Sequence, residues 1–293
     1  MKLMPKLLCR SGFPDEELSR LKSRLEDFLK RTDLTESALI IDGSGLGCIS
    51  HFVILSLLGP ERYNRFRSVH SVSASCYSVL YFLAWQKDML SLSHEKIDNF
   101  NQANQMRHNI AGWGRGSRLV ISFLLGSSYL FSNDRLEEAL AYGVNPEFLN
   151  IRVSELSENI SFLTYCVEDR ELCEIRQSSR FADWTLGEVI RCVTAVKGIY
   201  APFRKEGKTY MDAVTDRPQL SELYRNIRNR NRYVLSLHMD RDGIHENTTF
   251  IKMHDTGSGR IRVILDFLYF MSGVENRDFG EAIRVGLHQV KPI

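Results

Sequence analysis

Apolar and polar positions along the first third of the chain switch twice between two periods. Leu18, Leu21, Leu25, Phe28 and Leu29 fall on one stripe at helical spacing and predict a helix over Phe13–Lys30, with Asp15 at its start. Ala38–Ile41 is a continuous apolar run that stops at Asp42-Gly43-Ser44-Gly45, the pattern of a strand buried on both faces. Helical spacing returns over Ile49–Leu58 and is expected to stop at Gly59-Pro60. Phe66–Val72 then reads as a second strand and Ala74–Trp85 as a strongly apolar helix. Strand, loop and helix twice over predict an α/β fold with a mostly parallel central sheet flanked by helices.

The middle of the chain, Asp88–Ala141, is expected to be largely helical, broken at Trp113-Gly114-Arg115-Gly116. Period-2 patterning resumes at Leu149/Ile151/Val153, at Phe162/Thr164/Cys166 and over Leu172–Arg176. Thr185–Ala195 reads as a helix, Lys208–Asp212 as a short strand and Tyr233–Met239 as an alternating strand. Ile261–Met271 and Asp278–His288 are expected to be closing helices. With no repeat or low-complexity linker, one domain over 1–293 is expected, with an N-terminal helix (1–35), a core (38–240) and C-terminal helices (241–293).

Composition narrows the function classes. In 293 residues, 43% are hydrophobic and 25% charged, which excludes disordered, collagenous and coiled-coil chains. No apolar run reaches the roughly 18–20 residues of a membrane span. A net charge of +2 gives no basis for nucleic-acid binding, and Arg225, Arg228, Arg230 and Arg232 are read as a solvated helix end. The six cysteines include no C-x-x-C pair, so neither a metal site nor a redox motif is expected. Cys76, Cys166 and Cys192 sit in apolar contexts and are expected to be buried thiols. Met1–Cys9 has no long apolar stretch of the secretory kind, so the expected compartment is the cytoplasm, although a specialised secretion route would leave no trace here.

Three segments could carry chemistry. The glycine-rich turn Asp42–Gly47 follows a buried strand and feeds a helix N-terminus, where converging backbone N–H groups suit a phosphate or an oxyanion. It lacks the third glycine of a dinucleotide loop and the Gly-Lys of a phosphate-binding loop. Ser71-Val72-Ser73-Ala74-Ser75 lies where a strand turns sharply into a helix, with small residues two before and two after Ser73, as a nucleophile elbow requires. A shifted register would make Ser75 the nucleophile, at the cost of Tyr77 in a small-residue position. Asp212, just past a short strand, could take a proton from a serine or could simply cap a turn. None of the eight histidines sits in a recognisable motif.

Taken in order, the three segments resemble the patatin-like phospholipases. That family has an Asp-Gly-Gly-Gly-x-Arg-Gly loop, a Gly-x-Ser-x-Gly elbow and a later Asp-Gly-Gly or Asp-Gly-Ala. Ile41–Leu58 is similar to the first, Phe66–Ala84 to the second, and Val189–Phe203 with Tyr210–Val214 to the third. The resemblance covers about residues 38–240, and 88–145 match poorly. The departures are specific: Gly47 stands where the loop arginine is expected, Cys48 where its last glycine is, serines flank the elbow, and Ala213-Val214 follow the aspartate.

The resemblance implies a three-layer α/β sandwich and a cofactor-free acyl hydrolase. It implies that Ser73 attacks a lipid ester, that Asp212 takes its proton, and that Gly43, Ser44 and Gly45 hold the oxyanion. Its partners would then be a lipid or acyl-ester substrate and, peripherally, a membrane surface. The altered motifs leave a second reading open, a fold of the same kind that binds lipid or a partner protein without turnover. Leu119–Phe131, interrupted at Gly126, could be a core helix, or an apolar lid over Ser73 with Arg115 and Arg118 placed to meet lipid phosphates.

Overall fold

The computed structural model describes residues 15–43, 48–91, 129, 132–141, 143–197, 200–238 and 241–252. Helix α1 (Asp15–Arg31) buries Leu21, Leu25 and Phe28 on the stripe expected of it. Strand β1 (Ser37–Ile41) is buried throughout and leads to helix α2 (Cys48–Tyr63). Strand β2 (Ser68–Val72) leads to helix α3 (Ser75–Gln86), which is buried on every side over Ser75–Ala84. The expected stop at Gly59-Pro60 is a break rather than an end. Gly59 leaves the helical region (φ 71°, ψ 163°) and Pro60 opens one more turn.

Helix α4 (Asp134–Ala141) and a single helical turn at Pro146–Leu149 precede strand β3 (Ile160–Cys166) and strand β4 (Glu171–Ile175). Helix α5 (Leu186–Val193) opens on a capping box between Thr185 and Glu188. Strands β5 (Phe203–Lys205) and β6 (Lys208–Asp212), helix α6 (Arg217–Arg230), strand β7 (Tyr233–His238) and strands β8 (Gly243–His245) and β9 (Thr248–Lys252) follow.

Two expectations are corrected. Leu149/Ile151/Val153 is not a strand. Asn145 caps the turn at Pro146, and Arg152 makes only an isolated bridge to Thr185 before a 3-10 turn at Val153–Glu155. The region 241–293 does not begin as helix, because β8 and β9 form a hairpin and β9 extends the sheet beside β7. The strand expected at Tyr233–Met239 forms as Tyr233–His238 and is buried from Val234 to Leu237, because it lies inside the sheet with neighbours on both sides. Leu119–Phe131 (Tyr129 apart), Arg115, Arg118, Ser44, Gly45, Ile261–Met271 and Asp278–His288 lie outside the described residues.

The described strands form one nine-stranded sheet in the order β5-β6-β3-β2-β1-β7-β9-β8, with β4 on the other edge of β3. The centre, β3-β2-β1-β7-β9, is parallel, and antiparallel strands close both sides. Alternate residues of β1 serve two layers. Leu39 and Ile41 join the large core under α1, α2 and α3, whereas Ala38 and Ile40 pack with Ile227 of α6. This is a mixed α/β fold of three layers: helices, a mostly parallel sheet, and α6 on the opposite face. No helix among the described residues is long and apolar enough to cross a membrane.

Candidate functional site

The sheet brings Ser73 and Asp212 together through a single shared strand edge. Strand β2 pairs with β3 as far as Val72 opposite Leu163, and β6 takes over the same edge of β3 from Asp212 opposite Thr164. The parallel strand runs up to that point and the antiparallel strand runs down to it. Their C-terminal ends therefore meet head-on, Ser73 following one and Asp212 closing the other.

Ser73 sits on a strained turn. Its φ is 57°, a left-handed conformation that costs a residue with a Cβ about 1–2 kcal/mol. Four other described non-glycine residues have positive φ, and all four are exposed in turns; Ser73 is buried, at 7% exposure. Strain held in place by a packed surrounding is the mark of a nucleophile elbow. Ser75 is held differently. Its hydroxyl lies 2.7 Å from Val72 O, 2.9 Å from Ile41 O and 2.9 Å from Ser71 Oγ, and it accepts from Val72 N at 3.0 Å. It is fully buried and saturated, which leaves it structural work at the base of the elbow.

Asp212 is fully buried. Its Oδ1 accepts from Val214 N at 3.0 Å, the turn-capping use that its position suggested. Its Oδ2 has no formed hydrogen bond among the described residues. Burial raises the carboxyl pKa from 3.8 to about 7, against the opposing pull of the Ser73 hydroxyl and the Val214 amide. The Ser73 hydroxyl is close enough to favour the ionised carboxyl, but no hydrogen bond is formed between the two.

Gly43 closes the site from β1. A Cβ at this position would lie 2.9 Å from the Ser73 Cβ and 3.4 Å from Val72 O, so only glycine allows the loop so close to the serine. The Gly43 N–H donates to Asp42 Oδ1 at 2.9 Å. Asp42 Oδ1 also accepts from the Tyr224 hydroxyl of α6 at 2.6 Å, and Asp42 Oδ2 lies 3.2 Å from His238 Nε2 at the end of β7. Tyr224 and His238 carried no signal in the sequence. They lie 182 and 196 positions from Asp42, and only the packing of α6 and the β1–β7 pairing unite them.

Among the described residues, no histidine stands in the place of Asp212. His70 lies on β2, buried, with its Nδ1 2.8 Å from the Ser161 hydroxyl and its pKa lowered to about 4 by burial. His51 on α2 is fully buried, with its pKa lowered to about 3 by burial. The described thiols Cys76, Cys166, Cys173 and Cys192 are free and buried, and burial is the leading cause raising each above its ordinary range. No group of three or more His, Cys, Asp or Glu among the described residues could hold a metal ion.

No family model matches the chain, and no curated protein matches it in sequence. Among solved structures, VipD from Legionella pneumophila is similar at a TM-score of 0.38 and 10% identity. That likeness covers 85% of this chain and 66% of VipD's, so this chain spans just under two thirds of that one. A likeness so slight bears on neither mechanism nor substrate.

Proposed function

We propose that the chain is a serine acyl hydrolase of the patatin-like kind, acting on lipid esters through Ser73 and Asp212. The observation that carries this reading is the buried, left-handed Ser73 (φ 57°) facing a buried carboxylate poised to titrate at about 7. A general base works best with a pKa near the operating pH, and Asp212 meets that condition without a histidine.

In this mechanism Asp212 takes the Ser73 proton as the hydroxyl oxygen attacks the ester carbonyl carbon. The carbonyl electrons move to its oxygen, and backbone donors of the loop from Gly43 to Gly45, with the Ser44 hydroxyl, stabilise that charge. The Gly43 amide is engaged by Asp42 in this structure, so the burden falls on the residues after it. Collapse expels the alcohol, which takes the proton back from Asp212, and leaves an acyl-serine. Water, deprotonated by the same carboxylate, then attacks the acyl-serine and releases the acid.

An active-site-directed fluorophosphonate tests this directly. The expected result is a single adduct that peptide mass spectrometry places on Ser73, lost in Ser73→Ala and retained in Ser75→Ala. An adduct on Ser75 would overturn the register. No adduct on the folded protein would favour the non-catalytic, lipid-binding reading.

A further inference from the structure

The residues around Asp42 form a second constellation beside the Ser73–Asp212 pair. Asp42 closes β1, and its backbone N–H donates to Leu237 O of β7, so its position is set by the sheet. Its carboxylate gathers three groups: the Gly43 amide at 2.9 Å and the Tyr224 hydroxyl at 2.6 Å donate to Oδ1, and His238 Nε2 lies 3.2 Å from Oδ2. The Tyr224 bond is short, as hydrogen bonds to a carboxylate are. Burial and the neighbouring carboxylates push the phenol well above its usual range, so it stays a donor. His238 is further held edge-on to the Phe250 ring, 6.1 Å between centroids.

The consequence for Ser73 lies in Gly43. The glycine is the residue in contact with the serine Cβ, and its amide is anchored by the carboxylate that Tyr224 and His238 hold. A carboxylate at the end of a strand can rotate about two side-chain torsions; Tyr224 from α6, His238 from β7 and the Gly43 amide restrict that rotation. Gly43, its amide tied to that carboxylate, is thereby held where it meets the Ser73 turn. Small displacements at such a contact matter, because about 1 Å of misplacement can cost about 10²-fold in rate.

We infer that Tyr224 and His238 are positioning residues that act through Asp42 to set Gly43 against Ser73. The inference rests on the acyl-hydrolase reading above and extends it to two residues outside the resembling motifs. Neither residue transfers a proton in the reaction, and neither touches substrate. Their work is to hold Asp42, and through it Gly43, against the Ser73 turn.

The test measures the rate of fluorophosphonate labelling and the hydrolysis of a short, soluble aryl ester in wild type, Tyr224→Phe, Asp42→Asn, His238→Ala and His238→Gln. The expected result for Tyr224→Phe is a fall of about ten- to a hundredfold in kcat and in labelling rate, with KM within about twofold. The Tyr224→Phe/Asp42→Asn double variant should be no worse than Asp42→Asn alone, since both remove one path. His238→Gln, which keeps a donor, should recover most of what His238→Ala loses. The pH at which activity is half-maximal should stay where wild type has it, because Asp212 keeps its own neighbours. Unchanged labelling in Tyr224→Phe, losses that multiply in the double variant, or a moved pH midpoint would each overturn the inference. Should Tyr224→Phe melt early and label poorly, the comparison of His238→Gln with His238→Ala decides alone. A wild type that never labels overturns the acyl-hydrolase reading itself, and this inference with it.

Discussion

The molecule makes the same strand-to-helix turn twice, side by side, and solves the crowding differently each time. After β1 the chain uses glycine: Gly43 has no side chain where a Cβ would collide with Ser73. After β2 it uses serine. Ser71 and Ser75 flank Ser73 where glycine is usual for an elbow, and their hydroxyls bond each other at 2.9 Å beneath the turn. The close approach is therefore reached in one case by removing atoms and in the other by satisfying them. The two solutions are not equivalent in stability. The glycine turn spends conformational entropy, whereas the serine turn depends on hydrogen bonds that must all be made, because Ser71 and Ser75 are fully buried.

The sharpest break in this comparison is at its centre. Ser73→Gly removes the nucleophile and relieves the left-handed strain, so hydrolysis should vanish while the protein gains about 1 kcal/mol over Ser73→Ala, read from melting or denaturant titration. A Ser73→Gly variant less stable than Ser73→Ala would mean that the turn is not strained.

Asp212→Asn should lower kcat/KM by about 10³-fold or more, as loss of a base does, and its pH behaviour separates two roles. In wild type, kcat/KM should rise with pH to a midpoint near 7, as the buried carboxyl ionises, and then level. Stability moves the other way. The folded pKa is raised from 3.8 to about 7, so the favourable contribution is full below about 4 and is lost as pH rises to about 7. The stability of Asp212→Asn relative to wild type should therefore grow across pH 4–7. A flat difference would place the carboxyl's titration elsewhere.

Gly43→Ala puts a methyl 2.9 Å from the Ser73 Cβ. It should cost about 1–3 kcal/mol by overpacking and lower activity at the same time, because the atoms that must shift are those of the elbow. Ser75→Ala should separate the two quantities. It leaves the buried Val72 N–H without its partner and should cost about 1–3 kcal/mol, yet the folded enzyme should keep most of its activity. If Ser75→Ala abolishes labelling of a folded protein, the serine turn is more than a support.

The smallest expected effect concerns the two buried histidines. Burial lowers His70 to about 4 and His51 to about 3, from 6.5. The unfolded chain therefore binds more protons than the folded one below about 6.5. These groups make stability fall as pH drops from about 6.5 toward 4, opposing the Asp212 trend in that window. Replacing His70 by Gln should flatten the acid side of the stability profile while leaving activity near pH 8 within a few-fold.

What the sequence determined by itself is local. Apolar period was enough to place α1, β1, α2, β2 and α3, because each is a run of one period, although Gly59-Pro60 proved a break in α2 and not its end. Ser73 was legible as a candidate because an elbow is small-x-Ser-x-small whatever surrounds it, and Gly43 because a turn after a buried strand needs glycine. The tertiary structure decided everything that depends on who sits beside whom. It made β7 a buried central strand despite its alternating sequence, since burial there comes from neighbours and not from composition. It turned 243–252 into a hairpin at the sheet edge, where β9 bonds both to its own partner β8 and to β7. It assigned different work to Ser73 and Ser75, two residues apart and chemically identical, through backbone strain at one and four hydrogen-bond contacts at the other. It also drew Asp212 to Ser73 and Tyr224 and His238 to Asp42, over separations that no local pattern spans, because strands of one sheet align their ends regardless of distance along the chain.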